Sequence, residues 1–274
     1  MTMNKKRRML NGLAAILTTS ALLISCKNQE ITYSQFSKEE NLPLVEGSEM
    51  PEMHLRVDLL APAGTTVLEN VIKDSIISWT LGKSYTGMGI DSSISRFSAD
   101  CRKAYRETNL DLYRELSAKD SSYSERGTFN HERIIESSIL YEDDNYLSII
   151  ANDYSYQGGA HGSTYILYRT LNKKNNKTIT TSDIFRSEEG LDRLIKTAIA
   201  KSAGLADPDL LDRDGTYFAE SIRTSENFIL AENGIRWMYN QYEIRPYAYG
   251  TTEVFLSYDE LSTLLKDDFS KTLL

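Results

Sequence analysis

The fold of this chain is decided by residues 132–172, which read ERIIESSILYEDDNYLSIIANDYSYQGGAHGSTYILYRTLN. They contain three runs rich in β-branched and aromatic residues, at 132–142, 146–153 and 164–172. Acidic residues, asparagine and glycine separate these runs, and such residues accept turn conformations. The pattern predicts an antiparallel meander, which a further strand at 178–181 extends.

One helix, three strands and a last short helix are predicted after the meander. Ser187, followed by Glu188 and Glu189, is typical of a helix N-terminus, and Gly204 ends that helix. The other elements are expected at 227–230, 234–239, 254–257 and 258–265.

Upstream of the meander, the hydrophobic period changes from two to that of a helix. Residues 54–60 alternate like a half-buried strand, whereas 67–81 and 94–119 carry apolar residues at helical spacing. The expected fold class is therefore α+β. A smaller N-terminal strand–helix–helix piece, residues 51–125, packs with a sheet-rich antiparallel C-terminal piece, residues 126–270.

The N-terminus has the features of an export signal. A basic cluster at 5–8 precedes an uncharged, mostly apolar run at 9–24, which is shorter than the roughly 20 residues of a spanning helix. The order Leu23-Ile24-Ser25-Cys26 resembles a lipobox, in which the cysteine is acylated and the bond before it is cut. We expect residues 1–25 to be a lipoprotein signal peptide and Cys26 to hold the protein on a membrane through lipid.

The segment that follows the lipidated cysteine is expected to be a tether. Residues 26–50 are polar, are interrupted by Pro43 and Gly47, and show no sustained period. Cys101 is then the only remaining thiol, so no intramolecular disulfide is expected. It lies on the apolar stripe of the second helix, where a small core residue is the favoured interpretation.

Charge and residue counts narrow the classes of partner and chemistry. Removing residues 1–25 takes away four basic residues and lowers the net charge from −8 to −12. An acidic surface repels nucleic acid, so no nucleic-acid partner is expected, and it suits basic proteins. The histidines are His54, His131 and His161 only, and no cysteine pair is available for zinc. We expect no metal and no cofactor, and assign no catalytic residue.

The segment Gly158-Gly159-Ala160-His161-Gly162 is the most unusual short motif, because adjacent glycines allow a sharp turn that presents one histidine. Two interpretations stay open, a tight turn with a structural histidine and a ligand contact. Tyrosines near this motif and near the C-terminus favour either cross-strand packing or a contact surface. The candidate binding residues are Tyr156, Gly158, Gly159, His161, Tyr242, Tyr247 and Tyr249.

Several segments, taken in chain order, form a recognisable series. They are YQGGAHG at 156–162, ITTSDIF at 179–185, FILAENGI at 228–235, YEIRPYAYG at 242–250 and VFLSYDEL at 254–261. This series resembles the uncharacterised extracytoplasmic domain of RsiV-like anti-sigma factors and PdaC-like proteins, over about residues 53–265. The resemblance implies two α+β pieces and a role in the cell envelope.

RsiV-like members bind lysozyme, and PdaC-like members carry this domain beside an enzyme that acts on peptidoglycan. The resemblance therefore implies lysozyme, another basic envelope protein or peptidoglycan fragments as the ligand. This chain departs from both groups, with a lipid anchor in place of the anti-sigma segment and without a deacetylase domain. We expect a non-enzymatic binding lipoprotein of the cell envelope. An envelope hydrolase, a peptidase or cell-wall-modifying enzyme that uses His161, is the alternative, and a structural subunit is a third possibility.

Overall fold

The computed structural model describes residues 30–48, 51–124, 127–213 and 215–272. The predicted signal peptide, residues 1–25, and Cys26 lie outside the described residues. Ile31–Leu274 is one compact unit. It contains a six-stranded sheet, a three-stranded sheet and helices, which confirms the α+β class.

Nine strands are described, and from β2 onward their bounds agree with the sequence pattern except at β6, where the strand predicted at 178–181 covers only residues 177–178 and Thr181 begins a helix. They are β1 Tyr33–Pro43, β2 Glu52–Pro62, β3 His131–Glu142, β4 Tyr146–Gln157, β5 Ser163–Asn172, β6 Lys177–Thr178, β7 Phe228–Ala231, β8 Gly234–Tyr239 and β9 Thr252–Ser257. The described α-helices are α1 Val67–Thr80, α2 Ile90–Lys119, α3 Thr181–Ile184, α4 Glu188–Ser202, α5 Tyr258–Leu261 and α6 Asp267–Ser270.

Strands β1 to β6 form one sheet in the order of the sequence. All neighbours are antiparallel except β2 and β3, which are parallel and are joined through α1 and α2. The predicted meander of β3 to β6 is confirmed. Because β2 pairs with β3, the sheet continues across the predicted boundary between residues 125 and 126.

The prediction of a tether at 26–50 is wrong for β1, which pairs with β2 along all eleven of its residues. The sequence of β1 lacks the apolar alternation of a buried strand, because β1 is an edge strand that places charged residues on the side of α2. There, Glu40 forms ion pairs with Lys38 and Arg102, both at 3.4 Å, and accepts a hydrogen bond from Ser98. Inward-facing charges of this kind discourage another chain from pairing with a sheet edge.

Local capping explains where α1 begins. The Thr66 side chain accepts a hydrogen bond from the Glu69 backbone N–H at 3.3 Å, and the Glu69 carboxylate accepts one from the Thr66 N–H at 2.8 Å. These reciprocal bonds satisfy backbone donors that a helix N-terminus leaves free. They also lower the pKa of Glu69, with the Thr66 side chain as the largest cause.

Helices α1 and α2 cover one side of the six-stranded sheet, which we call the helix face. Its core contains Leu55 and Val57 from β2, Ile149 from β4, and Ile72 and Ile76 from α1, all almost fully buried. Cys101 of α2 is half-buried and packs against this core, where a small apolar residue was expected.

A second core lies between α4 and the three-stranded sheet of β7, β8 and β9. Leu191 and Ile195 of α4 pack with Phe228 and Trp237, which are 1% and 0% exposed. The same small sheet contacts the side of the large sheet away from α1 and α2, which we call the opposite face. The contact joins three buried residues, Tyr168, Ile229 and Met238.

Two buried asparagines connect the small sheet to the outer edge of β5. The Asn227 amide accepts from the Tyr168 N–H at 2.7 Å and donates to the carbonyls of Ile166 and Met238, both at 2.9 Å. The Asn240 amide accepts from the Ile166 N–H at 2.7 Å and donates to the Ile166 carbonyl at 3.0 Å. These side chains take the place of a neighbouring strand.

We predict that Asn227→Ala lowers the free energy of unfolding by about 3 kcal/mol, because it removes three buried or half-buried hydrogen bonds to the backbone. Asn227→Asp should cost more, since a carboxylate would face two carbonyl oxygens. Urea denaturation of the full chain measures both changes. The control is Asn175→Ala in an exposed turn, with an expected change within about 0.5 kcal/mol. Equal losses for Asn227→Ala and Asn175→Ala would contradict the prediction.

Candidate functional site

The glycine motif forms the turn between β4 and β5, and two of its glycines are required by close approach. Gly158 has φ +77°, and a Cβ there would lie 1.8 Å from the Thr128 carbonyl oxygen. A Cβ on Gly162 would lie 2.4 Å from the Tyr154 ring. No atom lies within 4 Å of the corresponding position on Gly159. The turn is therefore fixed at Gly158 and Gly162 and open at Gly159.

Two side chains that the sequence singled out separately stack on each other beside this turn. The rings of His161 and Tyr247 are 4.1 Å apart and inclined by 22°. The Tyr247 hydroxyl donates to the Gly162 carbonyl at 2.8 Å, and His161 Nδ1 lies 3.0 Å from the same oxygen. Because a carbonyl oxygen only accepts, this geometry places a proton on Nδ1 and leaves Nε2 free to meet a ligand.

Tyr242 completes the group, with its ring 5.5 Å from the ring of Tyr247. We call His161, Tyr242 and Tyr247 the tyrosine–histidine patch. Tyr242 is 62% exposed and His161 is also exposed. The patch thus presents aromatic surface to solvent where the loop between β8 and β9 meets the β4–β5 turn.

The backbone of Tyr242 is held in the left-handed region, with φ +69°. Such a conformation is uncommon for a bulky side chain and is strained. It is kept by the surrounding turn, in which the Glu243 carboxylate accepts from the Asn240 N–H at 2.8 Å and the Glu243 N–H donates to the Asn240 carbonyl at 3.1 Å. Strain of this kind is concentrated at binding and catalytic sites.

The other candidate binding residues do not join the ring cluster. Tyr249 is 52% exposed in the turn after Tyr247, and Tyr156 lies on β4 opposite Glu132. Among the described residues, neither ring contacts another aromatic ring. Gly159 lies at the tip of the turn beside them.

The sequence analysis missed a polar groove on the helix face. Two adjoining cavities of about 180 and 290 Å³ share Arg133, Ser155 and Gln157. The outer cavity also contacts Ser163 and Tyr165. A signal was present, because every second residue at the end of β4 and the start of β5 is polar or a tyrosine where an apolar residue would face a core.

The geometry around His161 bears on the hydrolase alternative. A catalytic histidine needs an orienting group and a reacting partner, and a carboxylate commonly supplies the first. Among the described residues, His161 has the Gly162 carbonyl as its hydrogen-bond partner and no acidic partner. The described part of the chain also brings no three His, Cys, Asp or Glu side chains together in a possible metal site.

Within the same ranges, no helix has both the length and the apolar character that crossing a membrane requires.

Two family models match the chain, one to each half of the fold. Residues 57–164 match the family described as deacetylase PdaC, and residues 182–259 match the family described as protein of unknown function DUF3298. A curated relative, the peptidoglycan-N-acetylmuramic acid deacetylase PdaC of Bacillus subtilis, is 23% identical over 188 residues. The match covers 66% of this chain and 37% of that protein, so the chain spans little more than a third of the relative's length.

Two solved structures share the fold. A DUF3298-family protein from Bacteroides fragilis superposes with a TM-score of 0.79 at 23% identity, covering 86% of this chain and 94% of that one. A DUF3298-family protein from Pseudomonas aeruginosa gives a TM-score of 0.56 at 14% identity, covering 88% and 97%. These similarities extend over both sheets.

We predict that Tyr242→Asn does not destabilise the protein and raises the free energy of unfolding by up to about 1 kcal/mol. Asparagine tolerates the left-handed conformation that costs other side chains about 1 to 2 kcal/mol. Urea denaturation checks this, with Tyr249→Asn as the control because Tyr249 is similarly exposed but has no positive φ. A loss of stability in Tyr242→Asn as large as in the control would show that the conformation is not strained.

Proposed function

Since the chain belongs to the PdaC-like DUF3298 family, we propose that it is a lipid-anchored protein of the cell envelope that binds a ligand without catalysis. The proposed ligand is a basic envelope-active protein such as lysozyme. Peptidoglycan fragments are the alternative ligand. The proposed anchor is the lipid on Cys26.

The tyrosine–histidine patch is the observation that carries this proposal. Tyrosine is enriched at binding hot spots because it offers a large rigid contact with a polar tip. Tyr247 is already fixed by its bond to the Gly162 carbonyl, so it loses little freedom on binding. Tyr242 projects beside it on a strained backbone, and such strain is expected where binding takes precedence over stability.

Charge supports a basic partner. Residues 126–270, which contain the patch, carry 23 acidic and 15 basic side chains. Opposite charge on the partner would accelerate the encounter and favour basic proteins over acidic ones.

The relatives support a location in the cell envelope. The curated relative is, by its name, an enzyme of peptidoglycan, which is a polymer of the bacterial cell envelope. Its activity belongs to a protein of which this chain matches little more than a third. For this chain we therefore propose the envelope location and a binding role.

We predict that the full-length chain in detergent binds lysozyme in calorimetric titration and that Tyr242→Ala and Tyr247→Ala each weaken binding about tenfold or more. Binding should also weaken from low to physiological salt, because the attraction between the charged surfaces is screened. Muropeptides titrated in parallel test the alternative ligand.

The matched control is Tyr165→Ala, which removes a tyrosine that is 46% exposed on the helix face. It should leave lysozyme affinity unchanged. If Tyr242→Ala and Tyr247→Ala bind lysozyme as the parent does, the patch is not the contact. If neither lysozyme nor muropeptides bind, the proposed ligand class is wrong.

We predict that Cys26→Ser abolishes membrane attachment, because the acyl chains have no thiol to carry them. Expression in a bacterium that lipidates exported proteins, followed by fractionation and intact mass measurement, tests this. The control is Cys101→Ser, which changes the other cysteine of the chain and should remain with the membranes. A Cys26→Ser protein that still fractionates with membranes at an acylated mass would disprove the anchor.

A further inference from the structure

The groove on the helix face lies beside the middle of α2 and shares no lining residue with the tyrosine–histidine patch. Its floor is formed by Arg133, Ser155 and Gln157, which line both cavities, and its outer end by Ser163 and Tyr165. Gln157, Ser163 and Tyr165 are exposed, so the groove is open to solvent there. The two volumes together fall in the range of about 300 to 1,000 Å³ that is typical of small-ligand sites.

The groove has polar walls and no free cation among the described residues that line it, although the carboxylate-bearing Glu132 also lines the inner cavity. The Arg133 guanidinium binds Asp153 through two hydrogen bonds of 3.1 and 2.8 Å, so the only cation on the floor is neutralised. Burial lowers the pKa of His131 and raises the pKa of the Cys101 thiol, so both are uncharged at pH 7. An anion finds no unpaired cation among the described residues that line the groove, and an apolar ligand would leave polar groups without partners.

The backbone of the floor is not available to a ligand. Strands β3, β4 and β5 pair with one another along the groove, with Arg133 opposite Ser155 and Ser155 opposite Ser163. A peptide therefore cannot add as a strand here, as peptides do at free sheet edges. Recognition must use side-chain groups, namely the hydroxyls of Ser155, Ser163 and Tyr165 and the amide of Gln157.

A neutral sugar chain fits these constraints. Each pyranose ring carries hydroxyl groups that both donate and accept around its edge, which matches hydroxyl and amide side chains. Its faces are apolar enough to lie against an aromatic ring, and Tyr165 is 46% exposed at the outer end of the groove. We propose that the helix-face groove binds a neutral oligosaccharide, with Gln157 and Ser163 as hydrogen-bonding residues and Tyr165 as the stacking residue.

This site does not depend on the proposed binding of lysozyme, because the described lining of the groove contains no residue of the tyrosine–histidine patch. The test is a calorimetric titration of the full-length chain in detergent with the tetramer of β-1,4-linked N-acetylglucosamine. We expect binding that Tyr165→Ala weakens about tenfold. Ser163→Phe, which fills the groove instead of removing a contact, should weaken it at least as much.

Tyr242→Ala is the matched control and should leave tetramer affinity unchanged, although it is expected to lower lysozyme affinity. The inference is overturned if the tetramer does not bind, or if Tyr165→Ala and Ser163→Phe bind it as the parent does. It is also overturned if a serine–alanine tetrapeptide binds at the groove and the sugar does not. Circular dichroism of each variant confirms that a loss of affinity is not a loss of folding.

Discussion

Within the described residues, no strand pairs with the outer edge of β5 beside Ile166 and Tyr168, and two asparagine side chains bond its backbone groups instead. Asn227 and Asn240 are 5% and 4% exposed, so water cannot take their place without opening the core. Unpaired backbone groups are costly when buried, and this cost makes the connection specific. It fixes where the three-stranded sheet lies against the large sheet.

The tyrosine–histidine patch follows from that connection. Asn240 bonds β5 and also begins the turn that contains Tyr242, so the same residue joins the sheet edge to the patch. The loop then returns along the β4–β5 turn, where Tyr247 bonds Gly162 and stacks on His161. The glycine motif therefore forms a tight turn and leaves His161 exposed, so its structural interpretation is compatible with the proposed ligand contact.

The tyrosine–histidine patch and the groove differ in the chemistry that they offer. The patch combines exposed aromatic rings with an acidic half of the chain, which suits a basic protein surface. The groove beside α2 is polar and offers no free cation among its described lining residues, because Asp153 neutralises Arg133. The similarity to the solved structures extends over both sheets, so the shared fold alone does not decide which of the two surfaces binds a ligand.

The sequence by itself determined most strands from β2 onward and the helices α1, α2 and α4, since their hydrophobic periods, turn residues and caps are local properties. It did not predict the short helices α3 and α6. It also selected His161 and Tyr247 as candidates through the glycine motif and the tyrosine clusters. It could not reveal β1, because an edge strand needs few apolar residues, nor the groove, because that depends on which strands are neighbours. Only the tertiary structure decided that residues 161 and 247 stack and that Tyr156 and Tyr249 stand apart. The physical reason is that strand pairing and the buried bonds of Asn227 and Asn240 connect positions that are far apart in the chain, and no local pattern encodes such pairs.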